Sequence, residues 1–155
     1  NETILSTEHG PYGGDEINKI EFKENYGFPI SSYGDTYAFK EILNSRSNYI
    51  FKKNHSKFSF KEPIYSFVPS IGISEIEKIS NNFSKYWKNN YFVSSLNGRT
   101  LYRIEFDDNY KKIKYMEAIR IDERIRDIKY IYEIESFALA LEETGSVGFI
   151  KAKKD

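Results

Sequence analysis

The chain has 155 residues, a length typical of one domain, and its 23 basic residues balance 23 acidic ones. This balance gives no broad electrostatic basis for binding nucleic acid or an anionic membrane surface. We therefore expect no nucleic-acid partner. The lack of cysteine excludes disulfides, thiolate zinc sites and a cysteine nucleophile. No apolar stretch approaches the ~18 residues of a membrane span, so we also expect no transmembrane segment.

The first half of the chain is irregular. Its glycine, proline and asparagine clusters indicate loops and turns between short strands. Residues 31–61 are polar and poorly periodic, which predicts a long surface excursion with a short helix near residues 38–43. The other predicted elements are a strand at 3–6, a loop at 10–14, a strand at Ile17–Ile20, a turn at 25–29, and strands at Tyr65–Pro69 and Ile71–Ile79. Since the chain opens within an expected strand, we expect a further N-terminal portion.

The second half alternates apolar and polar residues in short runs, which predicts antiparallel strands. Aromatic residues make up 17% of the chain and suit such strands, because they pack on a pleated, half-buried surface. Turns are predicted at 97–98 and 107–109. The predicted strands are Tyr91–Leu96, Thr100–Phe106, Lys112–Ile121, Arg126–Tyr132, Ser136–Leu141 and Val147–Lys151. One strand per roughly ten residues is typical of an all-β sandwich, barrel or propeller.

A candidate metal-binding loop lies within residues 8–16. Three glycines and Pro11 let the backbone turn sharply and expose carbonyl oxygens. Asp15 and Glu16 add carboxylates, and calcium binds both kinds of oxygen. The spacing is not that of an EF-hand, so a polar turn without a ligand is the alternative. His9 alone is more typical of a structural hydrogen bond than of a base or metal ligand.

A second candidate site is the pair Arg124 and Arg126. Residues two apart at the start of a strand point to the same face. Paired guanidinium groups recognise carboxylates through double hydrogen bonds, so the pair suits a ligand with several carboxylates. The alternative is two exposed arginines paired with Glu123 and Asp127.

Other familiar chemistries have no motif in the sequence. It contains no phosphate-binding glycine loop, no Gly-x-Ser-x-Gly and no His-Glu-x-x-His. Its two histidines, His9 and His55, are too few for a histidine metal cluster within the chain.

Five blocks of the sequence form a pattern when taken in order: residues 8–18 (EHGPYGGDEIN), 25–29 (NYGFP), 65–70 (YSFVPS), 87–93 (WKNNYFV) and 124–127 (RIRD). The first and the last are the most specific. Together they resemble the glucose/sorbosone dehydrogenase family, which includes the soluble aldose sugar dehydrogenases.

The resemblance implies a six-bladed β-propeller of antiparallel four-stranded blades. Residues 1–155 would form the C-terminal part of this single domain, and the N-terminal blades would lie upstream. It also implies two cofactors, pyrroloquinoline quinone (PQQ) and Ca²⁺. The carbonyl groups of Gly10 and Pro11 would hold the calcium beside the quinone. Glu16 and the carbonyl of Tyr26 would hold a second, structural calcium, with Asp35 as a looser candidate.

The resemblance places four residues at the quinone. Arg124 and Arg126 would bind its carboxylates and quinone edge, and Ser66 stands where a hydroxyl contacts it. Asn97 stands where the soluble glucose dehydrogenases have a cofactor-binding lysine. Two further departures, His9 for a glutamine and Phe28 for a tryptophan, put the substrate range in doubt more than the fold.

The function implied is oxidation of the C1 hydroxyl of an aldose to a lactone, by hydride transfer to the quinone. The histidine base of that reaction would lie upstream, so we expect no catalytic residue in this chain and no activity of this segment alone. A periplasmic or secreted enzyme, an aldose substrate and a quinone or cytochrome acceptor are also implied. Two alternatives are a non-catalytic propeller that binds protein or carbohydrate, and a calcium-dependent lactonase.

Overall fold

The computed structural model describes residues 3–35 and 51–153. These ranges hold ten antiparallel strands and three short 3-10 helices, so the predicted all-β fold is confirmed. The strands are β1 (Ile4–Glu8), β2 (Asp15–Ile20), β3 (Tyr65–Phe67), β4 (Ile73–Lys78), β5 (Asn90–Ser95), β6 (Thr100–Phe106), β7 (Ile113–Arg120), β8 (Ile125–Ile131), β9 (Ser136–Leu141) and β10 (Ser146–Lys151). The 3-10 helices are His55–Phe58, Lys85–Trp87 and Tyr132–Ile134. None of the helices in these ranges has the length and apolar character needed to cross a membrane.

The chain divides into two compact units between Ile71 and Gly72. The first is built on a three-stranded sheet in the order β1-β2-β3. In its register Glu16 lies between Glu8 on β1 and Ser66 on β3. β2 begins at Asp15, two residues before the predicted start, so both carboxylates of the candidate loop belong to a strand.

A close backbone contact holds the loop after β1. Gly14 has a φ of +71°, and a Cβ at this position would lie 2.1 Å from the Gly34 nitrogen. Only glycine tolerates both the left-handed backbone and this approach. The amide of Asp35 donates to the Tyr12 carbonyl at 2.8 Å, which pairs the same two segments.

Residues 31–35 and 51–61 of the predicted surface excursion form more backbone contacts than their polar composition indicates. In its described part, Ser31 forms a parallel bridge with Lys52, and a 3-10 helix spans His55–Phe58. The bridge and the helix satisfy backbone hydrogen bonds, so this segment can pack against the sheet despite its polar side chains. Hydropathy alone does not predict such packing. The short helix predicted near residues 38–43 lies outside the described residues.

The second unit contains a four-stranded sheet, β4-β5-β6-β7, and a three-stranded sheet, β10-β9-β8. In both, strands adjacent in the chain are adjacent in the sheet, as in propeller blades. From β5 onward the predicted strand bounds are correct to within one residue at either end. This agreement rests on the alternation in β6 and β7 and on the turn signals between strands, since β5 is buried along its whole length and β10 has no buried residue.

β4 and β8 run side by side in the same direction. Near the start of β4, the Ser74 hydroxyl donates to the Ile125 carbonyl at 2.7 Å. Near its end, Glu77 accepts a hydrogen bond from the Tyr130 amide at 3.4 Å. The turns before β4 and β8 therefore lie at one end of this unit, and the loops after them lie at the other.

Aromatic rings fill the core of this second unit. The Phe137 ring lies 4.9 Å from those of Phe83 and Phe92, both in edge-to-face geometry. Tyr130 packs on Phe137 at 5.0 Å. Such pairs add about 0.5–1.5 kcal/mol each beyond the burial of apolar area. This packing fixes the loops at both ends of the two sheets.

Candidate functional site

Three of the four predicted metal ligands meet in the first unit. Gly10, Glu16 and Tyr26 line one cavity of about 120 Å³, and Pro11 follows Gly10 without lining it. The cavity offers carboxylate, hydroxyl and backbone carbonyl oxygens, which are the hard ligands that calcium prefers. The other lining residues are Glu8, His9, Gly14, Phe28, Ser31 and Ser32.

The backbone carbonyl groups predicted to bind calcium are also available to a ligand. Within the described part of the chain, the carbonyl oxygens of Gly10, Pro11 and Tyr26 accept no hydrogen bond. The carbonyls on either side of Tyr26 are both engaged, since that of Asn25 accepts one amide and that of Gly27 accepts two. The three predicted ligands are therefore open to a cation or to water.

Glu16 is buried among polar side chains. The Asn18 amide donates to Glu8 at 3.0 Å and to Glu16 at 3.3 Å. Burial raises the pKa of Glu16 to about 7; the Asn18 hydrogen bond opposes this rise, and the charges of Glu8 and Glu62 reinforce it. A cation in the cavity would favour the ionised form, because it would offset both burial and repulsion.

His55 contacts Glu16, although nothing in the sequence pattern predicted this contact. Its Nε2 lies 3.4 Å from Glu16 Oε1, and its ring stacks on Tyr33 at 5.0 Å. Burial lowers the pKa of His55, while the charges of Glu62 and Glu8 act in the opposite direction. The imidazole thus lies against one oxygen of Glu16. No periodicity links the two residues, because His55 lies in the irregular segment.

Asp15, which the sequence analysis grouped with Glu16 as a source of ligand oxygen, has another role. Its Oδ1 accepts the Gly10 amide at 3.0 Å, and its Oδ2 accepts the Ser70 hydroxyl at 2.7 Å and the Ile71 amide at 3.1 Å. The side chain is fully buried. Asp15 thus ties the glycine loop to the chain after β3 and positions the peptide group of Gly10.

Asp35 and Ser66 lie outside the cavity lining. Asp35 pairs with the Lys53 ammonium at 3.0 Å, and that ammonium also binds the Tyr33 carbonyl at 2.9 Å. Asp35 therefore already has a cationic partner. The Ser66 hydroxyl is buried and has no hydrogen-bond partner among the described residues. An orphaned buried hydroxyl suits contact with a polar ligand group.

The two arginines lie together in the second unit. Arg124 Nε donates to Glu142 Oε1 at 3.2 Å, and the Arg126 guanidinium binds Glu142 Oε2. The expected shared side is therefore present, but the partner is Glu142 and not Glu123 or Asp127. Sequence spacing could not identify this partner, since Glu142 arrives through the β8–β9 pairing.

The two arginines favour the ionised form of Glu142. Although partial desolvation raises the pKa of Glu142, the Arg126 hydrogen bond and the charges of both arginines outweigh it and keep the pKa below its ordinary value. One carboxylate thus occupies the space between two guanidinium groups. A ligand carboxylate has the same chemistry and could take that place.

Asn97 lies at the same end of this unit. It is exposed, and it sits in the turn after β5 beside Gly72, where a Cβ would lie 2.9 Å from the Asn97 nitrogen. In the same turn, Arg99 binds Glu143 at 2.6 Å. Because Glu143 follows Glu142, Asn97 shares this end with the arginine pair. The predicted metal residues and Ser66 belong to the first unit, and Asn97, Arg124 and Arg126 belong to the second.

Comparison with known proteins identifies the family of the chain. The sequence model of the family described as glucose/sorbosone dehydrogenase matches residues 1–147. The chain belongs to the glucose/sorbosone dehydrogenase family. It is 26% identical over 124 residues to the aldose sugar dehydrogenase YliI of Escherichia coli K12, and 26% identical over 128 residues to the uncharacterized protein slr1608 of Synechocystis.

Solved structures show the same fold. One glucose dehydrogenase superposes with a TM-score of 0.76 at 23% identity, over 99% of this chain and 41% of that one. The soluble aldose sugar dehydrogenase of Escherichia coli, in its apo form, superposes with a TM-score of 0.73 at 22% identity, over 96% of this chain and 40% of that one. The described residues therefore form part of a β-propeller. The chain spans 31% of the length of YliI and 29% of slr1608.

Proposed function

We propose that this chain is the C-terminal part of a PQQ- and calcium-dependent aldose dehydrogenase. The complete protein would oxidise the C1 hydroxyl of an aldose to a lactone, in the periplasm or outside the cell, and pass electrons to a quinone or cytochrome. Membership of the family supports the sugar dehydrogenase class. The observation that carries the cofactor assignment is the convergence of Arg124 and Arg126 on one carboxylate.

The arginine pair supports a ligand with several carboxylates. Two guanidinium groups held this close repel each other unless an anion lies between them, and their contacts with Glu142 are those that a ligand carboxylate would make. Arg124 and Arg126 would bind carboxylates of the quinone, and Asn97 at the same end would add an amide contact. By resemblance to the family, Ser66 would supply a hydroxyl contact to the quinone.

The cavity at Gly10 supports calcium. Its donor set is entirely oxygen and nitrogen, it contains the carboxylates of Glu8 and Glu16, and the predicted carbonyl ligands are open. Gly10 and Pro11 would hold one ion, and Glu16 and Tyr26 a second. The bound metal and quinone would supply a Lewis acid and a hydride acceptor. The residues of this chain would bind and orient them, with Asp15 holding the loop in place.

Proton removal from the sugar is assigned to no residue of this chain. His9 is exposed beside the cavity, and His55 is buried with a lowered pKa against Glu16. We therefore place the general base in an upstream part of the propeller. Residues 1–155 alone would then have no dehydrogenase activity, and dye-linked aldose oxidation by this segment with calcium and quinone would contradict the proposal.

Quinone titration of the intact protein tests the cofactor assignment. We expect Arg126→Ala to weaken quinone binding by about ten-fold or more, because a charged hydrogen bond contributes roughly 1.5–3 kcal/mol. Arg120→Ala is the matched control, since Arg120 is also bound to a carboxylate, Asp122, but is not part of the pair. Equal quinone affinity of Arg126→Ala and the wild type would refute the assignment and favour a propeller of another activity.

A further inference from the structure

A second cavity, of about 520 Å³, lies within the second unit. Its walls are residues from the 3-10 helices Lys85–Trp87 and Tyr132–Ile134, together with the end of β10. This volume lies within the range of small-molecule sites, about 300–1,000 Å³. The proposed function assigns no role to it.

This cavity is separate from the arginine pair. Arg124 precedes β8, whereas the Tyr132–Ile134 helix follows it. Likewise, Lys85 lies in the loop after β4, which runs in the same direction as β8. β8 has seven residues, so the two ends are about 20 Å apart at the usual rise of a strand. A ligand in the cavity would not touch the arginines.

The cavity has a local excess of positive charge. Lys85, Lys151 and Lys153 line it with one acidic residue, Glu135, which gives a lining charge of +2 (three lysines less one glutamate). None of the three lysines forms an ion pair within the described ranges, whereas other lysines of this unit do; for example, Lys114 binds Glu105 at 2.9 Å. The chain as a whole has no net charge, so this excess is local.

The cavity also has an apolar side. Phe83 forms its floor and is only 5% exposed, since its ring packs on Phe137. Tyr86 and Ile134 are 75% and 49% exposed. The Lys85 ammonium lies 5.1 Å from the centre of the Tyr86 ring. A rigid apolar floor with an exposed aromatic ring and cations beside it suits a planar organic anion.

Polar groups complete the lining. Asn82, Ser84 and Ser136 add an amide and two hydroxyl groups. The Ser136 hydroxyl already donates to the Ile134 carbonyl at 2.8 Å, which fixes the turn between the Tyr132–Ile134 helix and β9. A few polar groups around an apolar floor are the usual composition of a small-molecule site.

We propose that this cavity binds a small organic anion with an aromatic body, of the aryl carboxylate or aryl sulfonate class. Lys85 and Lys151 bind the anionic groups, and the ring of the ligand packs between Tyr86, Ile134 and Phe83. The site is distinct from the proposed quinone site, and it requires neither calcium nor quinone.

Calorimetric titration of the intact protein with naphthalene-1,5-disulfonate tests the proposal. We expect saturable binding that weakens as ionic strength rises, because exposed charges are screened by salt. Lys85→Gln and Lys151→Gln should each weaken binding by about two- to five-fold, as is typical of exposed ion pairs, and the double variant should weaken it further. Lys114→Gln, which removes the same charge on β7, should leave binding unchanged.

Two further probes test the two parts of the ligand. Sulfate carries charge without a ring, and benzyl alcohol carries a ring without charge. Both should bind at least ten-fold more weakly than the disulfonate. Equal binding of sulfate would overturn the aromatic part of the proposal, and unchanged binding in the Lys85→Gln, Lys151→Gln double variant would overturn the site.

Arg126→Ala separates this site from the quinone site. We expect it to leave disulfonate binding intact, even where it weakens quinone binding. Loss of disulfonate binding in Arg126→Ala would place the probe at the arginine pair and would refute the second site. Failure of the quinone test with retained lysine-dependent disulfonate binding would refute the proposed cofactor but not this inference.

Discussion

Glu142 binds Arg124 through one carboxylate oxygen, at 3.2 Å from Nε, and uses its other oxygen for the guanidinium of Arg126. Both arginines are partly exposed, and so is Glu142. The internal carboxylate therefore has the position and the charge that a ligand carboxylate would need. It holds the guanidinium groups together, and under the proposed function it would also compete with a ligand carboxylate for them.

The first prediction follows from this competition. Glu142→Gln removes one negative charge from the arginine pair and keeps a similar shape. We expect quinone affinity to rise by about two- to five-fold, the size of an exposed charge interaction. Quinone titration by calorimetry would measure it, with Glu143→Gln as the control, because Glu143 is the adjacent residue and binds Arg99 instead. A loss of affinity in Glu142→Gln would mean that Glu142 orients the arginines more than it competes.

The second prediction concerns the glycine loop. Asp15→Asn places an NH₂ group against a buried donor, because the partners of Asp15 include the Gly10 and Ile71 amides and the Ser70 hydroxyl. We expect a loss of stability of roughly 1–3 kcal/mol, because a buried donor is left without an acceptor. Calcium binding should also weaken. Chemical unfolding and calcium titration would measure both effects.

Asp107→Asn is the control for this substitution. Asp107 also accepts two amide hydrogen bonds, from Lys111 and Lys112, but through one oxygen and in an exposed turn. An asparagine can keep both bonds, so we expect little change. If Asp15→Asn unfolded no more easily than Asp107→Asn, the carboxylate would not anchor the loop.

The sequence predicted the fold better than it predicted the contacts at the candidate sites. Alternation located β6 and β7, short apolar runs and turn signals located the other strands from β5 to β10, and the glycine-rich loop was recognised by its residues. The partners of these residues were not predictable. Glu142 meets Arg124 through the pairing of β8 and β9, and His55 meets Glu16 from an irregular segment. Such contacts depend on register and on backbone pairing between distant segments, which carry no local pattern.

The third prediction concerns the pH dependence of stability without metal. The pKa of Glu16 is raised by burial to about 7, above its ordinary value near 4.5, so the folded state favours the protonated form. The contribution of this proton to stability is complete below pH ~4.5 and is lost as the pH rises through about 7. In the presence of a chelator, we expect the free energy of unfolding to fall over this window on account of Glu16.

Glu16→Gln isolates this contribution. Its side chain stays neutral, so the difference in unfolding free energy between wild type and Glu16→Gln should change across the window. The same comparison in a His55→Gln background keeps the titration of His55 out of the difference, since its Nε2 lies 3.4 Å from Glu16 Oε1. Calcium should reduce the pH dependence of the wild type, since the metal binds the ionised carboxylate. A difference that stays constant from pH 4 to pH 8 would contradict the raised pKa of Glu16.

The fourth prediction concerns the outer edge of β10. In the described part of the chain, β10 pairs only with β9. Val147 and Phe149 project from the same face of this edge strand and are 60% and 55% exposed. No charged residue protects the strand before Lys151, whereas β7, also at a sheet edge, carries charges along its length. An apolar, uncharged edge is a template for pairing with another chain.

We therefore expect residues 1–155, prepared alone, to self-associate, and Phe149→Lys to reduce the association by placing a charge on that edge. Size-exclusion chromatography with light scattering would measure the mass of each species. Tyr132→Lys is the matched control, because Tyr132 is 69% exposed but lies in a 3-10 helix away from the edge. If Tyr132→Lys dissociated the chain as well as Phe149→Lys did, general surface hydrophobicity would drive association, and the β10 edge would have no special role.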